Sequence, residues 1–226
     1  TGGMPATQSW MRVRIQKSGM LSLIVCMPVS WIPGRGYQGN AFVVDNVLID
    51  AGILPSDVQP YRDQIDIIVL THCHHDHIAH LKEIAHLCGA KVVIHAADAP
   101  GLMDEALSLS LHFGARAAGL RPDRLIEDGE RVGPLQVLHT PGHTAGSICL
   151  YLEDEKALIS GDTVFSDGCF GRFDFPGGDP VALERSLERL AQLPVEGLYP
   201  GHGSPVEKNG QRHIAAAVKL LKSGYG

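Results

Sequence analysis

The chain has 226 residues, 44% of them hydrophobic, which is enough to bury a sizeable core. Its formal net charge of −6 leaves no basic footprint, so no nucleic acid is expected as a bulk partner. The longest apolar run, residues 21–27, is far too short to cross a bilayer, so no membrane partner is expected either.

Residues 1–10 are read as an added or disordered arm, and 11–226 as one domain. No secretory leader is evident, and five dispersed cysteines without CxxC spacing suit a reducing, cytoplasmic setting. Residues 12–16 alternate polar and apolar side chains and predict a strand, and 21–27 predict a second. Residues 31–39 form a glycine-rich loop with two aromatics, Trp31 and Tyr37. These either cover a ligand or anchor the loop. Two apolar runs, 40–44 and 47–49, flank Asp45 and Asn46 as a hairpin. The second run ends at Asp50, which either orients a ligand imidazole or caps a turn.

Next comes a buried strand over 65–70, then Thr71-His-Cys-His-His-Asp-His77. If the chain stays extended there, side chains two apart point the same way. His72, His74 and Asp76 then face one pocket, while Cys73 and His75 face the other side. Helical spacing starts after Asp76 (Ile78, Leu81, Ile84), so His77 sits at a strand-to-helix corner. Three imidazoles and a carboxylate are costly to bury unpaired, whereas a dication would use all four.

Residues 91–95 predict a further strand, and the Ala- and Leu-rich stretch 99–119 predicts a helix with Met103, Leu107 and Leu111 on its packing face. A strand over 135–138 leads to a Pro-Gly turn presenting His143. Strands at 147–151 and 156–159 lead to Asp162, and 197–199 leads to His202 in Pro-Gly-His-Gly. Helices are expected over 181–193 and 206–221. Polar groups able to hold a metal thus recur where strands end.

Taken together, Asp50, the 72–77 cluster, His143, Asp162 and His202 resemble, in order, the signature motifs of the metallo-β-lactamase-fold superfamily. The resemblance implies an α/β fold, a four-layer αβ/βα sandwich of two mixed sheets with helices outside. It also implies two divalent metal ions, zinc by default with iron or manganese suited to the same ligands. His72, His74 and His143 would hold the first ion and Asp76, His77 and His202 the second, with Asp162 bridging. Asp76 and Asp162 are the implied catalytic carboxylates of a hydrolase in which a shared hydroxide attacks a small ester or thioester. Residues 168–178 resemble a Gly-Arg-x-Asp segment of glyoxalase II-like hydrolases and of persulfide dioxygenases. There Arg172 serves either as an anion hook or as a partner that fixes Asp174. The alternative function is a dioxygenase with one iron on His72, His143 and Asp162. A small molecule is the expected substrate, and the sequence leaves the oligomeric state open. His80 stands where family members often carry glycine and is read as a packing substitution. His75, His86, His95, His112 and His213 match no motif.

Overall fold

The computed structural model describes residues 13–14, 24–25 and 29–224 of the chain. Strands β1 (Val13–Arg14) and β2 (Ile24–Val25) pair antiparallel as a two-stranded sheet. The rest of the expected strands at 12–16 and 21–27, and the arm at 1–10, lie outside the described residues.

Six strands form the first large sheet: β3 (Ser30–Ile32), β4 (Ala41–Val44), β5 (Val47–Ile49), β6 (Ile67–Val69), β7 (Lys91–His95) and β8 (Arg124–Ile126). It is antiparallel from β3 to β5 and parallel from β5 to β8. The second sheet is built from β9 (Arg131–Val132), β10 (Leu135–His139), β11 (Ile148–Leu152), β12 (Ala157–Gly161) and β13 (Gly197–Pro200), in the spatial order 13-12-11-10-9. All its pairings are antiparallel except β12 with β13.

Alternation along the strands explains the layers. Phe42, Val44, Ile49 and Val69 of the first sheet meet Val137, Ile148, Leu150 and Ile159 of the second in the central core. The intervening side chains turn outward. Leu48, Ile68 and Ile94 pack with Val58 of α1 (Pro55–Val58) and with Leu81 and Ile84, which lie beyond α2 (His75–Ile78) on α3 (Leu81–Cys88). On the far side Cys149, Tyr151 and Leu158 pack under Leu183 and Leu187 of α4 (Pro180–Leu190) and Ile214 of α5 (Gly210–Lys222). Strands covered on both faces read as continuous apolar runs, as β4, β5 and β11 do. The start of α4 is set locally: Asp179 accepts hydrogen bonds from the backbone N–H groups of Val181 and Ala182, with Pro180 as the first helical residue. Among the described residues no helix is long and apolar enough to cross a membrane.

The fold departs from the sequence reading in three places. Residues 99–119 are not one helix but two 3-10 turns, Ala99–Leu102 and Ser110–Phe113, joined by irregular chain. The carboxylate of Asp104 accepts from the backbone N–H groups of Ala106 and Leu107, and Leu109 takes a left-handed φ of 59°; both features break a helix. Met103 and Leu111, expected on a packing face, are 54% and 65% exposed. The loop expected at 31–39 starts inside β3. The last helix begins at Gly210 rather than 206, because Val206 exchanges two backbone hydrogen bonds with Leu198.

The central core sets the stability. Leu150, fully buried between the sheets, should cost about 2–5 kcal/mol when changed to alanine. Leu125→Ala on β8, where the side chain is 51% exposed, should stay within about 0.5 kcal/mol. Urea denaturation of both variants checks the contrast.

Candidate metal centre

The loops after β6, β10, β12 and β13 meet at one edge of the sandwich and bring seven side chains together, with Asp50 at the end of β5 beside them. His74 keeps extended backbone (φ −65°, ψ 146°), and α2 begins at His75. His72 and His74 therefore precede the helix, whereas Asp76 and His77 project from its first turn, which starts two residues earlier than the spacing suggests. Cys73 points away, against Gly101. His75 packs on Tyr37 and Phe113, with ring centroids 6.2 and 5.0 Å away.

Two groups of potential ligands result: His72, His74 and His143, and Asp76, His77, Asp162 and His202. Within each, the ligand atoms lie within 4.8 Å of one another. Asp162 reaches both. Its Oδ1 is 3.3 Å from His77 Nε2, while Oδ2 is 3.5 Å from His202 Nε2 and 3.7 Å from His143 Nε2. Of the five buried side-chain atoms without a hydrogen-bond partner among the described residues, four belong to these groups: Nε2 of His72, His74 and His77, and Oδ1 of Asp162. Orphaned polar atoms within two such groups suit cations that accept lone pairs.

Asp50 orients ligands in both groups. It is buried and sits at a left-handed φ of 63°. Its Oδ1 accepts from the Thr71 N–H at 2.8 Å, and its Oδ2 accepts from Thr71 Oγ1 at 2.8 Å and His77 Nδ1 at 2.7 Å. With its hydroxyl hydrogen given to Asp50, Thr71 Oγ1 accepts from His72 Nδ1 at 3.0 Å. Both rings are thus held with Nδ1 as donor, which leaves Nε2 of His72 as a lone pair and makes Nε2 of His77 the atom whose proton a cation would displace. His143 is held likewise, donating from Nδ1 to the Arg172 carbonyl at 2.5 Å.

Two residues that carry no motif also build the site. Asp98, buried, accepts from Cys73 N–H at 2.9 Å and Thr144 Oγ1 at 2.7 Å through Oδ2, and from Gly146 N–H at 2.6 Å through Oδ1. It ties the His72–His74 segment to the His143 loop. Asn40 donates to the carbonyls of Pro200 and Gly203, at 3.0 and 2.8 Å, and so clamps the His202 loop. The glycine before His202 is required by space: a Cβ on Gly201 would stand 2.2 Å from Asp162 Oδ1 and 2.7 Å from His77 Cε1.

A groove of about 540 Å³ opens beside the cluster, lined by parts of the 99–119 and 164–178 segments but by nothing from 30–39. Of the sequence candidates, Arg172 lies on its wall and donates from Nε and Nη2 to the Asp174 carboxylate, at 2.9 and 2.6 Å. That is the fixing arrangement. Tyr37 packs on Phe113 (4.8 Å between centroids) and is not among the groove-lining residues. His112, which no motif marks, does line the groove.

The charge pattern follows from burial. Burial, then His77 and His74, pushes His72 well below the ordinary 6.5, and burial, then His143, lowers His74 to about 3. His77 is also buried, yet Asp162, Asp50 and Asp76 outweigh burial and raise it well above 6.5. Burial would raise Asp162, but His77, His202 and His143 hold it below the carboxylate range.

Two expectations follow. In metal-stripped protein His72 and His74 stay neutral while folded, but below pH 6.5 they are protonated when unfolded. The unfolded chain then binds more protons. Stability should therefore fall as pH drops below 6.5, by up to about 1.4 kcal/mol per pH unit from His74 down to about 3, with His72 acting in the same direction. His77, protonated in both states there, adds no slope. Urea midpoints at about pH 7 and about pH 5 check this, with the lower value expected at the acid end. Asp98→Ala leaves the Cys73 and Gly146 N–H groups unpaired and should cost about 1–3 kcal/mol for each. It should also weaken binding of an added divalent metal ion, as read by calorimetric titration.

Comparison with known proteins agrees with this geometry. Residues 34–202 match the family model described as the Metallo-beta-lactamase superfamily. A probable metallo-hydrolase of Methanocaldococcus jannaschii is 35% identical over 75% of this chain and 90% of its own. A hydroxyacylglutathione hydrolase of Bartonella quintana is 38% identical over 61% of this chain, which spans 49% of that protein, about half its length. Among solved structures, TTHA1623 in a di-iron-bound form superposes with a TM-score of 0.69 at 32% identity, over 78% of this chain and 93% of that one. With the two facing mixed sheets and the strand-end histidines and aspartates in place, the chain belongs to the metallo-β-lactamase superfamily.

Proposed function

We propose that the protein is a metal-dependent hydrolase that cleaves a small ester or thioester at a two-ion centre. The observation that carries this reading is the Asp162 carboxylate, which stands within 3.3–3.7 Å of imidazoles in both ligand groups. The donor set fits two divalent ions: each group offers imidazoles with an adjacent carboxylate, and four of their atoms are buried without partners. His72, His74 and His143 would hold the first ion, Asp76, His77 and His202 the second, and Asp162 both. Zinc is the default, with iron or manganese served by the same ligands. When bound, such ions supply Lewis acidity and a water acidified towards neutral pH.

The chain's own groups divide the remaining work. Asp76 lines the groove, and it is the carboxylate placed to take a proton from water there. Burial would raise it, but His77 and the hydrogen bond from His202 outweigh burial and keep it ionised. His202 Nε2, 3.0 Å from Asp76 Oδ2, fixes that carboxylate's orientation. Asp50 and the Arg172 carbonyl hold the ligand rings, so their lone pairs need no reorganisation. A thioester suits the hydroxyacylglutathione hydrolase relative, and hydrolysis suits the metallo-hydrolase relative. A small-molecule substrate, without nucleic acid or membrane, in a cytoplasmic setting completes the reading.

A single iron on His72, His143 and Asp162 is the second reading, since two imidazoles and a carboxylate suit oxygen chemistry. The mutual orientation of Asp76, His77 and His202 weighs against it, because that reading leaves the second group without a task. His202→Ala separates the two. For the two-ion hydrolase, metal content should drop by half and ester or thioester hydrolysis by orders of magnitude. One iron per chain in wild type and variant alike, with oxygen consumption on a persulfide retained, would overturn the proposal.

A further inference from the structure

We infer that the groove beside the ligand cluster binds a neutral, apolar acyl group, so that the substrate is an ester or thioester of an aliphatic or aryl acid. The reacting bond rests on the hydrolase reading above, whereas the binding preference rests on the groove alone. Away from the ligand residues, the groove is walled mainly by Leu109, Phe113, Phe165, Phe170 and Phe175, with His112 and Arg172 as its polar side chains. The aromatics flank both ligand groups: the Phe175 ring is 6.0 Å from that of His74, and the Phe165 ring is 6.2 Å from that of His202. A carbonyl held at the cluster would thus carry its substituents along aromatic faces on either side.

Charge points the same way. Arg172 is the sole lysine or arginine among the lining residues. Its guanidinium is doubly bonded to Asp174 and lies 4.3 Å from the centre of the Phe175 ring. A substrate carboxylate would meet a guanidinium whose Nε edge and charge are already engaged by Asp174, whereas an alkyl or aryl chain needs no counter-charge. Phe113 is 41% exposed. Its ring already packs on Tyr37 and His75, and an apolar group entering the groove would cover part of what stays exposed; that burial is the driving force for binding. A glutathione thioester, with two carboxylates and an ammonium, meets on this wall a single Arg, already paired with Asp174.

Two measurements on the metal-loaded full chain test this. The first is binding of neutral, unbranched methyl ketones of increasing length, read by NMR titration. The Kd should fall about twofold per methylene, half of the roughly fourfold that full burial of a methylene gives. Phe113→Ala, at an exposed position, and Phe175→Ala should both flatten that slope. The second is kcat/KM for acetyl to octanoyl thioesters of a neutral thiol, beside a glutathione thioester of the same acyl group. It should rise with chain length and favour the neutral thiol. Ketone affinity independent of length, or a preference for the glutathione thioester, would overturn the inference. Hydrolysis with flat ketone binding removes the groove preference and leaves the hydrolase reading. Length-dependent ketone binding without hydrolysis of any ester supports the groove and removes the hydrolase reading.

Discussion

The site depends on one buried carboxylate, that of Asp50. It accepts the His77 Nδ1 proton directly and the His72 Nδ1 proton through Thr71 Oγ1, and it also anchors the Thr71 N–H. One acid therefore sets the ring orientation of a ligand in each group. Its position comes from the end of β5, where a left-handed φ of 63° turns the carboxylate towards the end of the neighbouring parallel strand β6. A non-glycine residue in that conformation is disfavoured, and here three hydrogen bonds to the side chain hold it. The parallel pairing of β5 with β6 thus does more than fill a core. It delivers the acid to the first residue of the histidine motif.

The same economy recurs around the cluster. Asp98 and Asn40 each join two chain segments far apart in sequence, and each does so through backbone N–H or C=O groups that would otherwise go unpaired. Loops carrying functional side chains are usually the mobile parts of a fold. Here they are fastened to one another, so the rings are positioned by a hydrogen-bonded frame rather than by loop packing. The frame also explains the charge pattern. It buries His72 and His74 beside other imidazoles, which keeps them neutral, and places His77 among three carboxylates, which keeps it protonated until something displaces the proton.

The histidine motif and the strand ends were legible because each signal is local. Apolar runs mark strands buried on both faces, and a polar residue closing such a run has few tasks other than chemistry. The metallo-β-lactamase resemblance ordered those signals, and the two sheets with helices outside follow it. Other features rest on tertiary pairing that composition does not carry. Asp98 stands in an Ala-rich segment and reads as an ordinary turn residue, although its three partners lie 25 to 48 positions away. The 99–119 stretch has the composition of a helix, but Asp104 diverts its backbone and Leu109 breaks it. Short edge strands such as β8 and β9 have too few residues to show a period. Arg172 was ambiguous between an anion hook and a fixed pair, and only the geometry of Asp174 distinguishes the two.

The central claim is that two ligand groups share Asp162. Anomalous scattering at the absorption edges of zinc, iron and manganese, on crystals of the protein as purified, tests it most directly. The account expects two peaks about 3.5–4 Å apart, one contacted by His72, His74 and His143, the other by Asp76, His77 and His202, with Asp162 touching both. A single peak held by His72, His143 and Asp162, with Asp76 and His202 outside its contacts, would contradict it.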